Sequence, residues 1–127
     1  MLVGVLGFAA LVVVALGQSD LRLLTGLRAQ RAAEAAAEAG GAVVADRMVE
    51  LRGVEAQPGA KSDLIDLALA DPALSFRAER SAREVLALLR AELVRLTLER
   101  RADELSVRVE VRFEGVSRIA RVGVREP

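Results

Sequence analysis

The amino-acid sequence predicts an α+β fold: a long N-terminal membrane-spanning helix continues into an alanine-rich stem, and two helices and a C-terminal antiparallel β-hairpin follow. First, an apolar run without charged side chains, Met1–Gly17, passes into an alanine-rich segment without proline. Second, leucines recur at helical spacing over Arg77–Arg101. Third, apolar and polar residues alternate from Leu105 to Phe113. We divide the chain into the helix and stem, residues 1–52, and a small α+β module, residues 53–127.

The composition argues against several classes of function. The 127 residues include no cysteine and no histidine, which excludes thiolate chemistry and removes the commonest general base. Basic and acidic residues number 18 each and aromatic residues make up 2%, so the chain lacks the positive charge and the stacking side chains typical of nucleic-acid binding. No glycine-rich phosphate loop or G-x-S-x-G motif occurs. We therefore expect no enzymatic activity, no cofactor, no metal site and no nucleic-acid partner.

The apolar run Met1–Gly17 predicts a membrane anchor. As a helix it is about 25 Å long, at the short end for crossing a hydrocarbon core of about 30 Å. Gly4 and Gly7 would let another helix approach closely. The alternatives are a cleaved signal peptide and a buried helix of a soluble protein. The missing basic residue before the run, and its continuation into a helical pattern, favour a retained anchor.

The stem, residues 21–52, has the composition of a continuous helix. Alanine is the best helix former, and five alanines form one face of small side chains. We expect this face to pack against the stems of copies or relatives; the alternative is a solvated helix stabilised by propensity alone. Gly40 and Gly41 each cost about 1 kcal/mol in a helix interior, so a bend is expected there. The five alanines are Ala29, Ala32, Ala33, Ala36 and Ala37.

The module is predicted to contain a short helix, a long amphipathic helix and a hairpin. Pro58-Gly59 ends the stem, and the short helix spans Asp63–Ala70, before Asp71-Pro72. The long helix covers Arg77–Arg101, and Gly115 separates the two strands of the hairpin. Asp63, Asp66 and Asp71 match no calcium-binding loop, so we interpret them as capping and solvated residues. The predicted module core is Val85, Leu86, Leu89, Leu93, Leu96, Val107, Val109 and Val111.

The first part of the chain resembles a known family. The apolar span followed by LRLLTGLRAQRAAEAAAEAGGAVVADRM is similar to the N-terminal region of TadE/TadG-like proteins, over about Met1–Met48. These are pilin-like components of the tight-adherence (Flp) pilus system. The resemblance implies a pilin-like structural protein of the cell envelope, a minor pilin of a Flp/Tad-type pilus or part of its assembly or secretion apparatus. It also implies a single-pass protein of the inner membrane with an extracytoplasmic module, or a place in a surface filament.

The expected partners are the membrane and other pilin-like subunits or pilus assembly proteins, in a homo- or hetero-oligomer. Two other functions stay open. One is a single-pass membrane adaptor that recruits a soluble partner through the Arg77–Arg101 helix. The other is a secreted soluble domain, released if the N-terminal run is a cleaved signal peptide.

Overall fold

A computed structural model describes residues 18–54 and 64–126, which form three α-helices and one antiparallel sheet. The two longer helices pack on one another and on the sheet, so the described chain has a helix layer and a sheet layer. The sheet order is β1-β2-β3, with β2 in the centre. The elements are α1 (Gln18–Val54), α2 (Leu64–Ala70), α3 (Pro72–Leu88), β1 (Glu92–Arg101), β2 (Glu104–Phe113) and β3 (Val116–Arg125).

Helix α1 runs for 37 residues without interruption through the predicted bend. Gly40 and Gly41 are buried, and both lie where other elements come close. A Cβ atom at Gly40 would lie 3.2 Å from Cδ1 of Leu96 and 3.8 Å from the carbonyl oxygen of Ala78. A Cβ at Gly41 would lie 2.6 Å from Cγ1 of Val122. The two glycines therefore allow α3 and the sheet to approach α1, and this packing offsets their low helix propensity.

Helix α3 begins at Pro72, five residues before the predicted start at Arg77. Asp71 is the N-cap, because its Oδ1 accepts a 3.0 Å hydrogen bond from the backbone N–H of Ala73. Pro72 occupies the first turn, where its missing N–H costs nothing. The Asp-Pro pair thus starts one helix as well as ending another, and the sequence prediction used only the second role.

The prediction of one helix over Arg77–Arg101 is wrong. Helix α3 ends at Leu88 because Arg90 adopts a left-handed conformation with φ of 56°. The backbone N–H of Ala91 then donates to the carbonyl of Leu86 at 2.9 Å, and that of Arg90 donates to Ala87 at 3.3 Å. These two bonds form a Schellman motif, which usually has glycine at the left-handed position. Since arginine stands there, the sequence carries no stop signal.

Strand β1 replaces the second half of the predicted helix. A β-bulge explains the error, since the register runs from Leu93↔Val111 directly to Arg95↔Glu110 and leaves Val94 without a partner. Without the bulge, residues three apart would point to opposite faces of the sheet. With it, Leu93 and Leu96 are both buried. A spacing of three along a bulged strand is thus indistinguishable from helical spacing.

The sheet buries one face under the helices. On β2 the buried residues include Leu105, Val107, Val109 and Val111, which alternate as expected for a strand covered on one side. β3 pairs with β2 from Glu104↔Arg125 to Phe113↔Val116. The sequence offered no third strand, but β1 covers the second edge of β2.

The core is aliphatic and draws on all six elements. The largest fully buried side chains include Met48 of α1, Ile65 of α2, Leu86 of α3 and Leu105 of β2. Seven of the eight predicted core residues are at least partly buried: Leu86, Leu93, Leu96, Val107, Val109 and Val111 are buried and Val85 is intermediate. The eighth, Leu89, is exposed, because α3 has already ended there.

The prediction of a membrane-spanning helix is contradicted. Among the described residues, no helix combines the length and the apolar character that a bilayer crossing requires. Helix α1 is long enough, but arginine and glutamate side chains recur along it. Met1–Gly17, with Gly4 and Gly7, lies outside the described residues. Over the described residues the predicted fold class is therefore corrected to three helices and a three-stranded antiparallel sheet, and the single-pass inner-membrane localisation is contradicted with it.

Two tight turns allow a paired test of backbone conformation. Ala102 has φ of 56° in the β1–β2 turn, and Gly115 has φ of 79° in the β2–β3 turn. A left-handed conformation costs a residue with a Cβ atom about 1 kcal/mol or more relative to glycine. We expect Ala102→Gly to raise the free energy of unfolding by about 1 kcal/mol, and Gly115→Ala to lower it by a similar amount. Urea denaturation measures both, and equal signs for the two changes would contradict the turn conformations.

Candidate interaction surfaces

The predicted helix-packing alanines lie inside the molecule. All five are buried, and all except Ala29 belong to the same cluster as core residues of α3 and the three strands. The chain's own helix and sheet therefore occupy the face that was expected to contact other subunits. The alanine face can be covered within the chain because its side chains are small. Each buries little area, but together they let α3 and the sheet approach the backbone of α1 closely. The buried alanines are Ala29, Ala32, Ala33, Ala36 and Ala37.

The aspartates near α2 are engaged in capping and ion pairs. Asp71 caps α3, and its Oδ2 also lies 3.3 Å from Nε of Arg47 on α1. Oδ1 of Asp66 accepts a 2.8 Å hydrogen bond from Nη1 of Arg100 on β1. Asp63 lies outside the described residues. Within residues 18–54 and 64–126, no group of three or more side chains is placed to bind a metal ion.

An ion pair joins the ends of β2 and β3. Nε of Arg125 donates a 2.9 Å hydrogen bond to Oε1 of Glu104. This hydrogen bond and the negative charges of Glu104 and Asp103 raise the pKa of Arg125. Arginine is already protonated at physiological pH, so the raised pKa gives this surface pair no role in proton transfer.

The first turns of α1 carry exposed leucines, and we call Leu21, Leu23, Leu24 and Leu27 the leucine turn. Residues 21–24 are all exposed, and four consecutive residues cover every side of a helix. From Ala29 onward one side of α1 is buried. Within residues 21–27 Gly26 is buried, because the side chain of Arg118 of β3 lies against it. The leucines are therefore exposed at the margin of the packed part of the described chain. Several large apolar side chains exposed together indicate a contact surface.

A groove of about 530 Å³ lies between α1, the α3–β1 turn and the β2–β3 turn, and we call it the basic groove. Helix α1 supplies two arginines, and the Schellman motif at the end of α3 supplies a third. The end of β2 supplies an aromatic ring, and the β2–β3 turn supplies one carboxylate. The lining residues are Arg28, Arg31, Ala32, Leu88, Leu89, Arg90, Phe113 and Glu114.

Sequence reasoning did not identify the basic groove, because its residues come from three separate parts of the chain. Leu88 and Leu89 were assigned to the interior of a long helix, and Leu89 to the core. Glu114 belongs to the alternating pattern of a predicted strand, and only Gly115 is predicted to form the turn. The one available signal is the position of Leu88, which lies outside the narrow row of apolar residues at helical spacing in the predicted helix. An apolar residue there indicates that the helix has either a second buried side or a side that contacts a partner.

A third surface lies on the outer side of α3. Phe76 is 68% exposed and lies beside charged residues of both signs, among them Arg80 and Glu84, whose Nε and Oε1 atoms are 3.5 Å apart. Exposed pairs of this kind contribute little to stability. Its charged residues lie in the first half of Arg77–Arg101, the segment through which one of the open alternatives has a partner bind, and Phe76 directly precedes that segment.

Comparison with protein-family models gives no match, and neither curated proteins nor solved structures include a significant match to this chain. The resemblance of its N-terminal part to TadE/TadG-like proteins therefore stays a prediction from the sequence.

Proposed function

We propose that this protein is a structural subunit, in the role of a minor pilin, of a Flp/Tad-type pilus or of its assembly apparatus. The observation that carries the proposal is the leucine turn. It lies in the same helix as the residues from Ala32 to Met48 that contribute to the core. An apolar helix segment held by a folded module can pack repeatedly against equivalent surfaces in an assembly. The same segment lies within the residues that resemble TadE/TadG-like proteins.

The proposal predicts that a strain lacking this chain loses its pili and that the leucine turn is needed to restore them. Leu23→Glu places a charge on the leucine turn, whereas Val49→Glu makes a similar change near the other end of the same helix. The two side chains are 61% and 59% exposed, so neither variant should lose stability. We expect wild-type protein and Val49→Glu to restore piliation, seen by electron microscopy, and Leu23→Glu to fail.

Co-purification provides the second measurement. Wild-type protein should be recovered with other pilus components, and Leu23→Glu should lose them while its circular dichroism spectrum stays unchanged. Unaltered pili in the deletion strain would contradict the proposal. Full restoration by Leu23→Glu would contradict the role of the leucine turn.

A binding protein that recruits a partner through its α+β module is the second candidate function. The observation that favours it is Phe76, a largely exposed aromatic side chain on α3, since aromatic residues are enriched where proteins bind one another. In that case the deletion strain keeps its pili, and one stoichiometric partner replaces the pilus components in the co-purification.

A further inference from the structure

We propose that the basic groove binds an acidic segment of a partner protein whose apolar side chains pack on Leu88, Leu89 and Phe113. The proposal is independent of a role in pili. It rests on the charge, the apolar exposure and the backbone conformation of the residues that form the groove.

The charge of the groove favours an anionic occupant. Its lining contains three arginines, Arg28, Arg31 and Arg90, and one carboxylate, Glu114. The lining therefore has a net charge of +2, on a chain whose formal net charge is zero. None of the three arginines forms a salt bridge within the described residues. Guanidinium groups bind carboxylates through paired hydrogen bonds, and these three are available for such contacts.

The apolar part of the groove indicates that the occupant also carries apolar side chains. Leu88 is 85% exposed and Leu89 is 43% exposed, although Leu86 is buried. Phe113 is partly buried beside them. Exposed leucines contribute little to the stability of the fold, so folding does not explain their presence here. An apolar centre surrounded by a charged rim is typical of a protein interface.

Two turn conformations hold these side chains in place. Arg90 has φ of 56° and Glu114 has φ of 48°, and glycine would adopt either conformation with less strain. Among the described residues only one other non-glycine residue, Ala102, has a positive φ. These are the conformations that the Schellman motif and the two-residue β2–β3 turn require, and they place one charged side chain from each turn in the lining of the groove.

Two other occupants fit less well. A second copy of the chain docking through the same surface would bring three arginines against three arginines, and like charges oppose such a contact. A lipid bilayer presents a flat surface, which would contact the protruding Leu88 but would not follow the groove between α1 and the two turns. An acidic protein segment satisfies both the charge and the shape.

The first test locates the occupant in cells. The photoreactive residue p-benzoylphenylalanine replaces Leu88 in the full chain, and the cross-linked peptide is identified by mass spectrometry. The control places the same residue at Val49, which is 59% exposed and lies outside the groove. We expect Leu88 alone to cross-link a peptide with an excess of aspartate and glutamate and with apolar residues. A cross-link to lipid, to a second copy or to a peptide that is not acidic would overturn the proposal, and so would the absence of any cross-link.

The second test measures binding of that peptide, made synthetically and labelled for fluorescence anisotropy. The double variant Arg28→Glu/Arg31→Glu turns attraction into repulsion and should weaken binding by about ten-fold or more, whereas the exposed control Arg52→Glu should change it less than about two-fold. Arg90→Gly should weaken binding by about two- to five-fold without lowering the free energy of unfolding, because glycine suits the left-handed position. Unchanged binding in the double variant would overturn the proposal.

Discussion

Replacing Leu86 by alanine is expected to lower the free energy of unfolding by about 2–5 kcal/mol. Leu86 is 1% exposed and belongs to the core cluster formed by the helices and the sheet. Its truncation removes the transfer free energy of the lost carbon atoms and leaves a cavity that close-packed neighbours fill only in part. Domains of this size are stable by about 5–15 kcal/mol, so the variant should unfold at a clearly lower denaturant concentration.

Leu88→Ala is the matched control, since the same side chain two residues along the same helix is 85% exposed. We expect its free energy of unfolding to change by less than about 0.5 kcal/mol. Urea denaturation followed by circular dichroism measures both variants. Equal losses from the two substitutions would contradict the end of α3 at Leu88 and the direction in which its buried side faces.

Replacing Ala36 by leucine is expected to lower the free energy of unfolding by about 1–3 kcal/mol, or by more if the neighbours cannot move. Ala36 has no exposed surface and lies in the core cluster with residues of α3 and the sheet. A leucine there must displace other side chains or push α1 away, and the gain in apolar burial does not compensate for that strain. Leucine is nearly as good a helix former as alanine, so helix propensity does not explain a loss.

The matched control is Ala42→Leu, because Ala42 is exposed on the same helix. Its stability should change by less than about 0.5 kcal/mol. Analytical ultracentrifugation of both variants separates the two roles of the alanine face. If these alanines served contacts between subunits, Ala36→Leu would alter the oligomeric state and leave the stability of the monomer unchanged. That result would contradict the packing of α1 on its own sheet.

The sequence and the structure agree where a residue's environment follows from its neighbours in the chain. α1 covers the stem because alanine-rich sequence without proline favours helix, and it continues through Gly40-Gly41. β2 occupies residues where clean alternation indicates a strand, and β3 occupies residues where the alternation is looser. The leucine turn and the basic groove could not be predicted in this way, because exposure depends on which elements cover a helix and where they end.

Helix propensity, alternation and turn residues were enough to place α1, α2 and the β2–β3 hairpin, because these signals act over only a few residues. The tertiary structure alone decided three features. It ended α3 at an arginine in a left-handed conformation, and it placed Leu93 and Leu96 on one face through a bulge. It also buried the alanine face within the chain. The physical reason is the same in each case: packing between distant segments outweighs local preferences of about 1 kcal/mol per residue.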